Sequence, residues 1–234
     1  ILFEELKGNQ LITLLNKDNQ KFLIDIFTNL GEWLSKFHEL NLNLQKEADD
    51  MESVKNFTDD IDFEYKHYLK KFSKKFLDDS MIINSRDMFS VLLSRSDTKS
   101  SYGICHGDFC FQNLIINNQE NKVNIIDFEE CSSDYQYKDL AFFCAKLKLL
   151  QLFIPNKAVL LDKLEYNFLE GYQKQLDINQ NQFELIKFMY LHRINSPLSF
   201  KFFLNPSNLR VLILRKRYSD LISKEINRLK KINI

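Results

Sequence analysis

Residues 106–113 read His-Gly-Asp-Phe-Cys-Phe-Gln-Asn, and residues 125–129 read Ile-Ile-Asp-Phe-Glu. Between them lie two short apolar runs, at 114–116 and 123–126, separated by the polar stretch 117–122. Two apolar runs joined by a short polar stretch are typical of a β-hairpin. This part of the chain therefore predicts a hairpin whose open end carries polar side chains.

The polar side chains at that end are predicted to lie close together. Symmetrical pairing about the polar stretch sets Asn113 opposite Ile126 and next to Asp127, and Asp108 lies in the loop just before. Folding alone gives no reason for this arrangement, because an unpaired buried carboxylate costs free energy. Ordinary turn chemistry, which also favours Asp and Asn, is the alternative.

Metal-assisted phosphoryl transfer requires this set of groups. A carboxylate and an amide oxygen are hard ligands suited to Mg²⁺, which bridges phosphate groups and offsets their charge. A second carboxylate must orient the acceptor hydroxyl and take its proton. We therefore predict that Asp108 is the catalytic base and that Asn113 and Asp127 hold the metal.

The same residues resemble a known family. The segment 106–108, with Asn113 five residues after Asp108, resembles the catalytic loop of aminoglycoside phosphotransferases and choline kinases, and Ile-Asp-Phe-Glu at 126–129 resembles their metal-binding segment. Three flanking segments extend the resemblance: Glu4-Glu5-Leu6-Lys7-Gly8 is similar to the hinge, Leu34-Ser35-Lys36-Phe37-His38 to the helix before the catalytic loop, and Asp139-Leu140-Ala141 to the helix after the metal segment.

The resemblance implies an α+β fold, a mostly helical protein-kinase-like C-terminal lobe with a small catalytic β-hairpin. It implies ATP and Mg²⁺ as cofactors, a small-molecule hydroxyl as acceptor, and an adenine-binding hinge formed by Glu4, Glu5 and Leu6. His106 is expected to hold the loop backbone. Asp139 is expected to brace the same loop, or to cap its own helix.

The implied organisation is a hinge and the end of an N-terminal lobe at 1–16, followed by the C-terminal lobe at 17–234. Within that lobe, 17–150 is the expected catalytic core and 151–234 a helical region on the substrate side. The chain opens at Ile1 and contains no glycine-rich loop and no preceding strand with an ATP-binding Lys. We therefore expect the N-terminal β lobe to be absent or truncated, and the activity of this piece alone to be doubtful.

Helix predictions rest on apolar periodicity. They cover seven segments, at 19–41, 61–77, 86–96, 137–151, 157–176, 181–195 and 207–231, with Ser207 as a candidate N-cap of the last. Tyr102 to Cys105 is predicted as a short strand, and the chain after the hairpin is expected to be helical to its end.

Two other function classes were weighed. A degenerate kinase-like lobe that serves as a binding or scaffold module stays open because of the expected missing lobe. A metallophosphatase is disfavoured, since the four histidines are not clustered as its two metals require. An aromatic pocket for a quaternary ammonium group is a weak further signal, carried by Trp33, Tyr135, Tyr137, Tyr172 and Tyr190.

Composition sets the remaining expectations. Lys and Arg number 32 and so do Asp and Glu, so no net charge favours nucleic acid or a membrane surface as a partner. The four cysteines form no CxxC pair, which indicates free thiols and a cytoplasmic location. No apolar run reaches the roughly 18–20 residues of a membrane helix. Nothing indicates an oligomeric state.

Overall fold

The computed structural model describes residues 9–15, 19–45, 57–71, 76–96, 102–117, 122–193 and 209–232. The helices are α1 (Leu11–Leu14), α2 (Gln20–Gln45), α3 (Phe57–Lys71), α4 (Asp79–Arg95), α5 (Lys138–Leu150), α6 (Ala158–Gln173), α7 (Gln180–Leu191) and α8 (Leu209–Ile232). The strands are β1 (Asn9–Gln10), β2 (Tyr102–Cys105), β3 (Leu114–Asn117), β4 (Lys122–Ile125) and β5 (Ser132–Tyr135). Short 3₁₀ turns lie at Phe111–Asn113 and Pro155–Lys157.

The chain folds into two compact units, and helix α5 contributes its first half to one and its second half to the other. The first unit comprises 1–53, 101–144 and 158–179, and the second comprises 54–100, 145–157 and 180–234. The predicted division at residue 16, and that at 150, stay predictions.

The first unit holds both small sheets. Strand β3 lies between β1 and β4 in one antiparallel sheet, and β2 pairs with β5 in the other. The β3–β4 hairpin pairs Leu114 with Ile125 and Asn117 with Lys122, which confirms the predicted register. The strand prediction at 102–105 is confirmed as well.

Helices α2 and α6 form the scaffold of the first unit. Asn19 begins α2, because its Oδ1 accepts a hydrogen bond from the Phe22 amide over 3.2 Å. The two helices cross at Gly31 and Gly171, where a Cβ on either residue would overlap a backbone carbonyl oxygen of the facing helix. This close approach requires glycine on both helices.

The second unit is helical in its described residues and buries aromatic rings. Helix α3 buries Phe57, Ile61, Tyr65 and Leu69 at intervals of four residues, the spacing of one helical face. The rings of Tyr65 and Phe89 stack with centroids 3.7 Å apart. Helix α4 begins after Asp78, whose side chain accepts a hydrogen bond from the Met81 amide over 2.8 Å.

Three expectations need correction. The chain after the hairpin is not helical throughout, because β5 follows it; β5 is polar and mostly exposed, and its pairing with β2 rests on backbone hydrogen bonds that leave no apolar pattern. Likewise β1 consists of two polar residues. Helices α3 and α4 begin at 57 and 79 rather than 61 and 86: Phe57 is buried on the same helical face as Ile61, and the side chain of Asp78 caps the first turn of α4. The candidate cap Ser207 lies outside the described residues.

Candidate active site

The hairpin brings the catalytic-loop end and the metal-segment end of the sequence together. The amide of Ile126 donates to the carbonyl oxygen of Asn113 over 3.0 Å, one step beyond the last paired residues of the strands. Asp127 follows Ile126 directly, so it lies at the same end as Asn113. This is the convergence that the sequence predicted.

Asn113 also joins this end to Asp108. Its Nδ2 donates to the carbonyl oxygen of Asp108 over 2.9 Å and to Oδ2 of the same residue over 3.1 Å. The Asn113 side chain is buried, while Asp108 is half-buried. Because the amide nitrogen is used to hold Asp108, Oδ1 is the atom of Asn113 suited to coordinate a cation.

The backbone is unusual at two positions of the site. Asp127 has φ of 67°, in the left-handed region that L-residues other than Asn, Asp and Gly seldom adopt, and its side chain is exposed. Gly107 has φ of 84°, and a Cβ there would overlap the carbonyl oxygen of Glu130. Non-glycine residues in the left-handed region concentrate at functional sites, so Asp127 directs attention to this loop pair, whereas Gly107 adopts its φ without strain.

His106 connects the two segments from within the core. Its side chain is fully buried, and Nε2 lies 3.0 Å from the carbonyl oxygen of Ile126. A carbonyl can only accept, so Nε2 carries the proton and donates. His106 thus contacts the backbone next to Asp127, in keeping with the structural role expected for it.

Aromatic rings fix the loop between these polar groups. Phe109 is fully buried, and its ring centroid lies 5.2 Å from that of Phe143 and 6.0 Å from that of Trp33. Phe128, next to Asp127, places its ring 4.5 Å from the ring of His106. The residues that follow Asp108 and Asp127 are therefore held by ring contacts, while Asp108 itself is half-buried and Asp127 is exposed.

Asp139 braces the catalytic loop. Its Oδ2 accepts from the amide of His106 over 2.6 Å, and its Oδ1 accepts from the amide of Gly107 over 3.0 Å. The side chain is 2 % exposed. Of the two expectations for Asp139, the geometry matches the brace, since both carboxylate oxygens face the loop.

His38 stands on the other side of Asp139. Its Nε2 lies 3.4 Å from Oδ2 of Asp139, and its Nδ1 lies 2.9 Å from the hydroxyl of Tyr172. All three side chains are buried. The two polar contacts of His38 give it a specific partner on each side.

His38, Cys105 and Asp139 also place potential metal-ligand atoms within 4.8 Å of one another. Hydrogen bonds account for this arrangement. The thiol of Cys105 donates to the carbonyl oxygen of Tyr135 over 3.3 Å. Burial, and next the charge of Asp139, raises the pKa of Cys105, which favours the thiol that donates this hydrogen bond. We therefore assign this cluster to the brace.

The remaining predicted residues fall in two groups. Glu4, Glu5 and Leu6, the expected hinge, lie outside the described residues and stay predictions. Four of the five aromatic residues weighed for an ammonium pocket, Tyr135, Tyr137, Tyr172 and Tyr190, are buried in the cores of their units.

Sequence reasoning missed the pairing of His38 with Tyr172. For His38, the signal in the sequence was its position four residues after Leu34, on the apolar side of α2. Nothing in the pattern of α6 distinguishes Tyr172 from a core residue.

Comparison with known proteins supports the architecture. The family model for choline/ethanolamine kinase matches residues 15–197. Compared with curated protein sequences, the chain matches none. Within the described helices, none combines the length and hydropathy needed to cross a bilayer.

Solved structures share the fold at low sequence identity. An aminoglycoside phosphotransferase described as putative, from Ralstonia eutropha JMP134, aligns with a TM-score of 0.59 and 13% identity over 97% of this chain and 72% of its own. An amicoumacin kinase, solved with AMP-PNP and Ca²⁺, aligns with a TM-score of 0.52 and 14% identity over 94% of this chain. An ethanolamine kinase from Plasmodium vivax is 18% identical over 93% of this chain, with a TM-score of 0.45.

The chain spans 64% of the length of the amicoumacin and ethanolamine kinases. The first two likenesses confirm the α+β, kinase-like fold. With the match over residues 15–197, the chain belongs to the choline/ethanolamine kinase family.

Proposed function

We propose that the protein is an ATP-dependent phosphotransferase that moves the γ-phosphate to a hydroxyl of a small molecule. The observation that carries the proposal is the bond pattern of Asn113, whose side chain holds Asp108 while its backbone holds the residue before Asp127. One base candidate and two metal-ligand candidates are thereby gathered at one end of a hairpin. Membership of a kinase family supports the same reaction class.

The donor atoms fit a hard divalent cation. Oδ1 of Asn113 and the carboxylate of Asp127 are oxygen ligands, the type that Mg²⁺ prefers. Held by these residues, Mg²⁺ would supply positive charge that offsets the charge developing on the phosphates. The role of the chain is to supply these oxygens on a rigid hairpin, with Asp127 exposed so that a ligand can reach it.

Asp108 is assigned to the acceptor. Its carboxylate would orient the acceptor hydroxyl and take the proton as the oxygen attacks the γ-phosphorus. The bond from that phosphorus to the β,γ-bridging oxygen breaks, and the electron pair leaves with ADP. The hydrogen bond from Asn113 to Oδ2 holds the carboxylate in one orientation, which is how positioning contributes to rate.

The test uses the full-length protein and substitutions at Asp108 and Asp127. We expect Asp108→Asn to lower turnover by roughly 10²–10⁴-fold, the usual span for a general base. Asp127→Ala should instead weaken Mg²⁺–nucleotide binding, measured by titration of the nucleotide. Asp87→Asn, at an exposed position on α4, is the matched control and should change neither.

Wild-type rates in both site variants would contradict the roles assigned here. Nucleotide binding without turnover in the wild-type protein would favour the binding or scaffold module. A thermal-shift screen with MgATP and a panel of choline, ethanolamine, aminoglycosides, homoserine and sugars tests the acceptor class, because a ligand that binds the folded state raises the unfolding temperature.

A further inference from the structure

A chain of buried side chains links helix α6 to the catalytic loop. It runs from Tyr172 on α6 through His38 on α2 to Asp139 on α5, and Asp139 accepts the two loop amides. The exposed fraction is 0%, 0% and 2% for these three side chains. A buried polar network that is fully satisfied makes a unique arrangement rigid.

The direction of each hydrogen bond follows from chemistry. The carboxylate of Asp139 can only accept, so Nε2 of His38 carries the proton that faces it. In the tautomer that carries its one proton on Nε2, Nδ1 is an acceptor, and the hydroxyl of Tyr172 donates to it. Burial raises the pKa of the Tyr172 hydroxyl, which favours its protonated, donating form.

The chain of bonds extends one residue further. The side chain of Gln136 hydrogen-bonds the hydroxyl of Tyr172, and Gln136 directly follows strand β5. Gln136 is itself buried, at 4% exposed. With the hydroxyl engaged on both sides, rotation of the O–H away from His38 would leave buried polar atoms without partners, which costs free energy.

We propose that Tyr172 is a positioning residue that holds the catalytic loop in place through His38 and Asp139. It fixes the tautomer and orientation of His38, His38 fixes the Asp139 carboxylate, and Asp139 holds the amides of His106 and Gly107 immediately before Asp108. The catalytic meaning of this chain rests on the proposed function; its effect on the loop does not.

Amide hydrogen exchange in Tyr172→Phe tests the proposal on the folded protein. The phenyl ring keeps the packing and removes only the hydroxyl. We expect the amides of His106 and Gly107 to exchange about three- to tenfold faster relative to core amides of α2 and α6, which change only with the overall stability of the unit. A purely structural role would speed all amides of the unit together.

Tyr218→Phe is the matched control. The hydroxyl of Tyr218 is also buried and donates to the carbonyl oxygen of Leu191, with Nδ1 of His192 at 3.3 Å, in the second unit. It should leave the exchange of the His106 and Gly107 amides unchanged. Gln136→Leu, which retains the phenol of Tyr172, is a second test variant and should move the same two amides in the same direction.

Two results would overturn the proposal. One is wild-type exchange of the His106 and Gly107 amides in both Tyr172→Phe and Gln136→Leu. The other is a ¹⁵N spectrum of the wild-type protein in which His38 carries its proton on Nδ1, since Tyr172 could not then donate to it.

The activity assay separates this proposal from the function itself. In the full-length protein, Tyr172→Phe should lower kcat about three- to tenfold and leave the nucleotide KM unchanged, because the loop and not the nucleotide contacts is loosened. If the wild-type protein transfers no phosphate but the amide result holds, the proposed function fails and the positioning role stands.

Discussion

One fully buried histidine of each unit, His38 in the first and His192 in the second, is held in a different way. In the first unit His38 lies between the carboxylate of Asp139 and the hydroxyl of Tyr172. In the second unit His192 lies edge-on to the rings of Tyr65 and Phe188, with centroids 5.3 and 5.1 Å away, and contacts the hydroxyl of Tyr218.

The two buried imidazoles serve different purposes. His38 contacts the carboxylate of Asp139, which accepts hydrogen bonds from the amides of His106 and Gly107. The orientation of His38 therefore affects the loop that holds these amides. His192 fills an aromatic core, where burial lowers its pKa to about 3 and keeps it neutral. The imidazole of His38 thus serves to place a polar group, and that of His192 serves as a neutral polar centre among packed rings.

The largest effect is expected at the glycine crossing that brings His38 and Tyr172 together. We expect Gly171→Ala to lower the free energy of unfolding by about 3 kcal/mol or more, because its Cβ overlaps the carbonyl oxygen of Thr28 and only backbone movement relieves the overlap. Urea unfolding at pH 7 measures this loss.

Gly103→Ala is the control for that change. No atom lies within 4 Å of a Cβ built at Gly103, so its free energy of unfolding should change by less than about 1 kcal/mol. At a helix position with free space, alanine is favoured over glycine, so Gly171→Ala would raise the stability if its Cβ met no other atom. A Gly171→Ala protein more stable than wild type would therefore show that α2 and α6 do not cross at the distance described.

The next largest effect is a pH dependence of the free energy of unfolding, caused by His192 in the second unit. Above pH 6.5 both the folded and the unfolded chain carry a neutral His192, whereas between pH 6.5 and about 3 only the unfolded chain binds the proton. Stability should therefore fall as pH falls, by about 2 kcal/mol between pH 6.5 and pH 5 from this residue alone.

The measurement is urea unfolding at pH 7, 6 and 5, in wild type and His192→Phe. The variant should lose that part of the pH dependence, because phenylalanine does not titrate. His67→Phe, at an exposed position on α3, is the matched control and should retain the wild-type dependence. An equal pH dependence in wild type and His192→Phe would place the cause of any acid instability elsewhere.

Much of the catalytic end of the first unit could be predicted from the sequence, because its information is local. The two apolar runs and the polar stretch between them specify the hairpin register, and that register alone sets Asn113 beside Asp127. The order of segments then gave the family resemblance, which the family match confirms. Strand β5 was missed because three of its four residues, Ser132, Ser133 and Asp134, are polar and give no apolar pattern.

The chain of hydrogen bonds from Tyr172 through His38 and Asp139 to the loop could not be predicted, because these residues are distant in sequence. His38 and Tyr172 are 134 residues apart, and Tyr172 occupies an ordinary core position of α6. Sequence periodicity indicates that a tyrosine faces the core but not which group its hydroxyl meets. Such polar contacts depend on how helices cross, which here is set by Gly31 and Gly171.

The smallest effect compares the two buried tyrosines directly. Tyr172→Phe and Tyr218→Phe each remove one buried hydroxyl that contacts a histidine, so each should lower the free energy of unfolding by about 1 kcal/mol. Calorimetry or urea unfolding at pH 7 should find the two losses similar. The two variants should differ only in which amides exchange faster. Tyr172→Phe should affect the amides before Asp108, and Tyr218→Phe should affect amides within the second unit. If Tyr218→Phe also loosened the catalytic loop, buried tyrosines would act on that loop through general stability, and the distinction drawn between the two histidines would not hold.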